Sequence, residues 1–562
     1  MCGIFGGYGK GNLVSETLTG LKILEYRGYD SAGVAYITPD NQLGVVKAVG
    51  GLDKLATKLK NLPNTNLCLG HTRWATNGSV CETNSHPHLS HDGKIAVVHN
   101  GIIENYQLLK TSLLDHQIEL KTNVDTEVIP NILYLLKHNK YKIHDYLQGQ
   151  YVFSAVYLRP NPVLFLAKKG TLPLYIGRSN TAFYVASDTL AFPAEVTQII
   201  TLQDLDTCEI NDHKITFHNA GKSITPAWQP FTQSFTATDK QGFDTYMAKE
   251  INEIPVVMEH IITTYQQDTN LLTQQQQFAK MLNSVKCIHV CGCGTSYHAA
   301  LIIASLIEKY AHVRAKAHVS SELTANTLLN EPAFAIIISQ SGETADTLVA
   351  MQLLQKHQIP IIALCNVTTS TIAKQSTLCF PLLCGPEIAV ASTKVFCATL
   401  LVSCLLLGCF KPQNYHDLIK YTQTTLNQAR QILPLPRHKS SKIFFVGKGF
   451  NYYLSLEAAL KVKEITYTHC EGYPTNELKH GPLSMIDRDT LSIIYQSTTD
   501  NAVAEITARG GQVVIIPMDT QQNPLRFIAQ IIPAQIFALD LATKLGIDPD
   551  KPRNLAKSVT VL

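Results

Sequence analysis

The sequence predicts an α+β layered domain followed by two similar α/β subdomains with parallel sheets, and three observations carry that prediction. From residue 43 to about 217, short apolar runs alternate with Gly, Asn and Pro, the pattern of strands and turns. Residues 225–240 turn polar, rich in Thr, Gln and Ser with Pro226 and Pro230, and read as a linker. Beyond them the grammar becomes strand, Gly-rich turn, helix, and it repeats. Ile288-His289-Val290-Cys291-Gly292 with its following helix matches Phe444-Phe445-Val446-Gly447 with its own. Ile336-Ile337-Ile338-Ser339-Gln340-Ser341 matches Ile493-Ile494-Tyr495-Gln496-Ser497 at nearly the same separation.

In the first domain the expected strands are 43–49, 67–70, 94–99, 151–157, 163–167, 173–177 and 182–186, with helical patterns at 15–24 and 126–136. Helices on a β-rich core imply layers. In the second part each half should be a parallel sheet wrapped by helices, with the break between residues 411 and 442.

A chain of 562 residues holds roughly three or four domains of ordinary size. Forty-seven basic against forty-four acidic residues give a net charge of +3, too balanced to point to nucleic acid or an anionic membrane. The longest charge-free apolar run, 395–410, is shorter than the ~20 residues a bilayer requires and reads as a buried helix. The start lacks the basic and apolar regions of a secretory signal. Fourteen cysteines without a small-domain framework then read as reduced cytoplasmic thiols.

Cys2 is the exception by position. Removal of Met1 would leave its thiol beside its own α-amine, which titrates near ~8 and can accept the thiol proton at neutral pH. A chance cysteine on a frayed terminus is the bland alternative.

In the second part, Ser339-Gln340-Ser341-Gly342-Glu343-Thr344 ends a strand and opens a helix. Helix N-termini bind anions, and three hydroxyls with a Gly for close approach favour phosphate over ordinary capping. The matching turn, Ser497-Thr498-Thr499-Asp500, lacks the Gly and gains an acid. Glu457, Lys461 and Glu464 share one helix face, either a solvated stripe or the lining of a pocket. Glu477-Leu478-Lys479-His480 has one copy of a Glu-x-x-His spacing, and Gly481-Pro482 ends any helix there. His480 is therefore kept as an acid/base candidate and no metal is expected. His86, His88 and His91 lack partners at zinc spacing and read as a surface loop. Cys291 and Cys293 are assigned no chemistry. The last segment, from Pro552, is either a frayed tail or the carrier of a lysine into a site.

Taken together, Met1-Cys2-Gly3-Ile4, Glu25-Tyr26-Arg27-Gly28-Tyr29-Asp30, His71-Thr72-Arg73-Trp74-Ala75-Thr76, His99-Asn100-Gly101, Cys293-Gly294-Thr295-Ser296, the Ser339 turn, Ala391-Ser392-Thr393-Lys394, the His480 segment and the tail resemble the glutamine:fructose-6-phosphate aminotransferase (isomerising) family. The resemblance covers essentially the whole chain. It implies an N-terminal-nucleophile αββα glutaminase domain followed by two α/β (αβα) sugar-isomerase subdomains. The implied boundaries are 1–224 for the glutaminase, 225–243 for the linker, 244–425 and 426–551 for the subdomains, and 552–562 for an active-site tail.

The implied reaction converts D-fructose 6-phosphate and L-glutamine to D-glucosamine 6-phosphate and L-glutamate, the first step towards UDP-N-acetylglucosamine. Cys2 would attack the glutamine amide. Asn100 and the Gly101 N–H would form the oxyanion hole. Arg73, Trp74, Thr76 and Asp125 would bind glutamine, Trp74 also gating the ammonia route, with Arg27 and Glu457 as supporting residues. Ser296, Ser339, Gln340, Ser341, Thr344, Val390 and Lys461 would bind the sugar phosphate. Lys557 would form the Schiff base, Glu464 would move the proton between carbons 1 and 2, and His480, supplied across a homodimer interface, would open the ring. No metal or organic cofactor is implied.

Three departures stand out. Asn77 replaces the family's usual His, Val124 replaces a Thr, and the second subdomain is short between Ser497 and Gly546. Trimmed surface helices or loops are the expected cause of the shortening. Other Cys2 amidotransferases would need a nucleotide or pyrophosphate loop that the sequence does not offer. A phosphosugar sensor could dispense with Glu464, His480 and Lys557.

Overall fold

The strand Gly3–Gly9 runs through the middle of the N-terminal unit and delivers Cys2 at its start. In the computed structural model, which describes residues 2–60, 64–74, 78–211, 214–232, 240–328, 331–435, 442–496, 501–518 and 523–559, the chain divides into two units. One comprises Met1–Thr238 with Ala556–Leu562, and the other Asp239–Leu555.

Among the described residues, the N-terminal unit stacks an eight-stranded and a seven-stranded sheet, both antiparallel. Period-2 alternation builds four layers from them. On Gly3–Gly9, Ile4 faces the core between the sheets while Phe5 faces the helices Leu13–Leu24 and Leu52–Leu59. On Ile95–Gly101, Val98 joins the inter-sheet core, whereas Ile95 and Val97 pack under Tyr106–Asp115 and Val128–Leu136. The order helix, sheet, sheet, helix is the expected αββα arrangement.

Each expected strand of this unit is present. Several strands are additional, among them Gly3–Gly9 and Ser31–Ile37 and, towards the end of the unit, Gln198–Thr201, Asp206–Asn211 and Lys214–Asn219; the first is glycine-rich and so poor in strand formers. Part of the stretch read as linker belongs to this unit. Gln229–Pro230 pairs with Gln198–Thr201, Trp228 stacks on Phe183 and Phe231 packs edge-on against Phe192, apolar contacts that a polar composition had concealed.

The second unit contains two parallel sheets. The first orders its strands Arg314–Val319, Cys287–Gly292, Ala333–Ser339, Ile361–Cys365, Leu378–Pro381, so the strand order reverses between Cys287–Gly292 and Ala333–Ser339. The second has, among the described residues, four strands: Cys470–Pro474, Lys442–Gly447, Thr490–Gln496 and Gln512–Pro517.

The expectation that only surface elements were trimmed is therefore corrected, because Leu378–Pro381 has no counterpart among the described residues of the second sheet. After Gln512–Pro517 the chain passes through a 3-10 segment, Pro524–Ile531, directly into the helix Ile532–Lys544. One core spans both halves, joining Leu400, Leu401 and Val402 to Ile528, Ile532 and Phe537. Pro524–Lys544 is long and apolar enough to cross a membrane, yet 89% of its most apolar window is buried inside the protein. The apolar run at 395–410 forms the buried helix Lys394–Leu407. The helix Pro412–Ile432 packs on both halves and contains the expected boundary between residues 425 and 426.

Candidate active site

In the N-terminal unit, Cys2 is half-buried and held by main chain. The Trp74 N–H donates to Sγ at 3.3 Å, and the thiol lies 3.5 Å from the Trp74 carbonyl. Gly3 permits this approach, since a Cβ there would lie 2.6 Å from Thr72 Oγ1 and 2.8 Å from Leu24 Cβ. Burial pushes the thiol pKa up, opposed by the Trp74 N–H and the Arg73 guanidinium.

Asn100 is the penultimate residue of the strand Ile95–Gly101, and its Nδ2 donates to the Cys2 carbonyl at 3.0 Å. Gly101 has φ of +122°, and a Cβ would meet the Gln150 carbonyl at 2.2 Å, so only glycine fits.

Arg73 is buried at the end of Leu67–Arg73, where burial lowers its pKa against the opposing pull of the Asp30 and Asp125 carboxylates. Asp125 is buried, and its Oδ2 accepts from the Ile103 N–H at 2.8 Å, which aims the carboxylate. Arg27 donates to Asp188 at 2.8 Å, and Gly28 lies under the Arg73–Trp74 peptide. Thr76 and Asn77 lie outside the described residues. Sequence reasoning assigned no role to Asp30, whose N–H donates to the Arg73 carbonyl at 3.0 Å.

His86 and His88 do not form a surface loop as expected. Together with His71 and His99 they make a buried cluster, because a His-rich segment here folds inward against the strand ends. His91 is exposed. Burial holds all four imidazoles below their ordinary range, His71 down to about 3.

In the second unit, Ser296 and the Ser339 turn lie at the C-terminal ends of adjacent parallel strands, where the strand order reverses and open α/β sheets bind ligands. Ser339 Oγ accepts from the Gly342 N–H at 3.0 Å and lies 3.3 Å from Thr344 Oγ1. Ser341 Oγ accepts from the Glu343 N–H at 3.2 Å. Thr344 precedes Ala345–Lys356 and makes no side-chain cap bond. Gln340 is half-buried, and the Val390 N–H donates to the Asp550 carbonyl at 3.3 Å. The matching turn at 497–500 lies outside the described residues.

The helix Phe450–Thr466 carries Glu457 and Lys461, both fully buried, and the partly exposed Glu464. The solvated-stripe alternative is thereby excluded. Lys461 Nζ lies 3.3 Å from Glu457 and 2.7 Å from Glu464, and donates to Thr295 Oγ1 at 2.9 Å. Burial opposes the Lys461 charge, but the two carboxylates outweigh it and raise its pKa. Two partners escaped the sequence reading: Thr295 Oγ1 donates to Glu457 Oε1 at 3.0 Å, and His298 Nδ1 lies 2.8 Å from Glu457 Oε2. Both come from the first half, so this cluster joins the two.

His480 is exposed at the end of a 3-10 segment, Thr475–His480, stopped by Gly481 at φ of +145°. Lys557 is half-buried in the final segment, whose last residues group with the N-terminal unit. Four residues earlier, the Arg553 N–H donates to the Tyr467 hydroxyl at 2.7 Å, and the guanidinium sits 4.2 Å from that ring's centre, just past the helix carrying Glu464. Among the described residues, no group of three or more His, Cys, Asp or Glu is arranged to hold a metal ion.

A family model described as a glutamine amidotransferase domain matches residues 71–194, and one described as a SIS domain matches 281–407 and 438–526. Fold and matches together define an amidotransferase domain joined to a pair of SIS modules. The glutamine–fructose-6-phosphate aminotransferase (isomerizing) of Caldanaerobacter subterraneus subsp. tengcongensis is 33% identical over 609 aligned positions, covering 100% of both chains, and that of Bacillus subtilis is 34% identical over 607, also covering 100% of both. The chain belongs to the glutamine–fructose-6-phosphate aminotransferase (isomerizing) family. The C-terminal domain of the glucosamine-fructose-6-phosphate aminotransferase of Francisella tularensis superposes with a TM-score of 0.50 at 27% identity, covering 56% of this chain and 100% of that one.

Proposed function

We propose that this chain converts fructose 6-phosphate and glutamine to glucosamine 6-phosphate and glutamate. The observation that carries the reading is the Cys2 thiol on the Trp74 N–H with the Asn100 amide beside it. With Met1 removed, the Cys2 α-amine takes the thiol proton and the thiolate attacks the glutamine carboxamide carbon. The oxyanion is held by Asn100 Nδ2 and the Gly101 N–H, while Arg73 and Asp125 pair with the carboxylate and amine of the substrate. Proton return to the nitrogen breaks the C–N bond and frees ammonia. Water then hydrolyses the thioester to glutamate and restores the thiol. Thr76 completes glutamine binding, and Trp74 gates the ammonia.

In the C-terminal unit, the Ser339 turn with Ser296, Gln340, Ser341, Thr344 and Val390 binds the sugar phosphate. His480 of a second copy opens the ring, in keeping with its exposure on a single chain. Lys557 forms a Schiff base at carbon 2, with loss of water. Ammonia displaces it, and Glu464 moves a proton from carbon 1 to carbon 2, leaving the 2-amino aldose. Lys461, held by Glu457, neutralises charge beside Glu464. Glutaminase, linker, two isomerase subdomains and tail follow in that order, with the glutaminase running on through Gln229–Pro230 and the two subdomains meeting within the helix Pro412–Ile432. A cytoplasmic homodimer acting on small molecules, without nucleic acid or membrane, completes the reading; all fourteen cysteines are free thiols, as a reducing compartment would leave them.

The purified chain supplied with both substrates should form glucosamine 6-phosphate and glutamate in equal amounts. Glutamate release without aminosugar would overturn the synthase reading in favour of a sensor. Co-expressed His480→Asn and Glu464→Gln chains should regain activity as mixed dimers, and no recovery would remove the shared site.

A further inference from the structure

Four imidazoles pack behind Asn100, and none takes part in the chemistry above. His71 lies on the strand Leu67–Arg73, paired with Ile4 on one side and Gly33 on the other. Its Nε2 is 3.1 Å from Asn100 Oδ1 and 3.0 Å from the His99 carbonyl. Both are acceptors only, so Nε2 must carry the proton. Nδ1 has no hydrogen-bond partner among the described residues.

A side-chain amide can sit in either of two orientations, and its hydrogen bonds decide which. With Asn100 reversed, its NH2 would face the His71 N–H, two donors together. Its oxygen would face the Cys2 carbonyl, two acceptors together. We infer that His71 is a positioning residue that locks the Asn100 amide with its NH2 towards the nucleophile. The inference rests on the proposed role of Asn100 as an oxyanion donor.

The other imidazoles fix His71 in turn. The His99 N–H donates to His86 Nδ1 at 3.2 Å, so His86 carries its proton on Nε2 and offers it to Thr126 Oγ1 at 3.3 Å. The Thr126 hydroxyl is then free to donate to His99 Nδ1 at 2.9 Å. The His86 ring stacks on His71 with centroids 4.0 Å apart and planes 19° apart. Hydrogen bonds thus run from His71 through the His99 main chain, His86 and Thr126 back to the His99 ring, next to Asp125. Because burial keeps these rings neutral, the donor on Nε2 persists across the physiological pH range.

The test uses the full-length enzyme. His71→Phe keeps the ring stack and removes the donor. His71→Gln has an NH2 able to serve the same two acceptors. The expected result for His71→Phe is a fall in glutaminase kcat on the order of 10- to 100-fold, with KM within about twofold, below the ~10²- to 10³-fold loss for deleting an oxyanion donor outright. His71→Gln should restore most of it, and Cys2 alkylation by iodoacetamide should proceed at the unmodified rate in both. In an Asn100→Ala background, His71→Phe should cost nothing further.

Unchanged kcat in His71→Phe, equal losses in both His71 variants, additive losses in the double variant, or alkylation slowed in step with kcat would each overturn the inference. Should phenylalanine fail to fold there, His71→Leu supplies the donor-free variant. If Asn100→Ala itself keeps full kcat, the oxyanion-hole reading falls; if it loses kcat while His71→Phe does not, the positioning role alone falls.

Discussion

Cys2 receives its environment from main chain more than from side chains. The Trp74 N–H supports the thiolate while burial favours the thiol, so reactivity depends on a base close by. The imidazole cluster beneath it has a consequence for stability. His71, His86, His88 and His99 have folded pKa values lowered from an ordinary ~6.5, so between that value and the lowered ones the unfolded chain binds more protons. Stability is fully present above ~6.5 and falls as the pH drops towards the folded values, by up to ~1.4 kcal/mol per pH unit for each ring kept neutral. Urea midpoints of the N-terminal unit, followed by Trp74 and Trp228 fluorescence, should therefore decline between about pH 6.5 and 4, and His86→Phe should flatten the decline. A profile that is unchanged by His86→Phe would exclude that ring as a contributor.

At the scale of elements, the ends of strands and the starts of helices carry the candidate site residues. The strand Ile95–Gly101 stops at a glycine whose positive φ turns its backbone beside Asn100. Gly101→Ala combines a strained φ with a 2.2 Å clash on the Gln150 carbonyl. Glutamine hydrolysis should fall at least ~100-fold, the scale of a lost oxyanion donor, while sugar isomerisation persists. Near-normal hydrolysis would show that this N–H is not needed. In the second unit, Phe450–Thr466 buries Lys461 between two carboxylates and ties Glu457 to Thr295 and His298 of the other half. A buried pair broken on one side typically costs ~3–5 kcal/mol, so this helix links function to the packing of the two halves.

At the scale of the whole molecule, each unit has its own sheets and cores, and the two chemistries should be separable. Cys2→Ala is expected to lose glutamine use and keep the interconversion of fructose 6-phosphate and glucose 6-phosphate. Loss of both, measured on the full-length protein, would mean the units do not act independently. The sequence by itself determined the α+β then doubled α/β order, the place of Cys2 at the chain start and the Ser339 turn, because period-2 runs, helix starts and Gly-rich turns are set by neighbours in the chain. Only the tertiary structure decided that Gly3–Gly9 is a central strand, since its glycines are tolerated by close contacts with Leu24, Leu69 and Thr72 that local propensity does not register. Likewise, the second parallel sheet has four strands among the described residues where the first has five, and the helix that follows docks into a core shared with the other half. The partners that matter most, His71 with Asn100 and His298 with Glu457, are far apart in sequence, the latter pair by 159 residues. Such pairs meet only when distant strands and helices bury the same face, and the burial that brings them together also sets their charge.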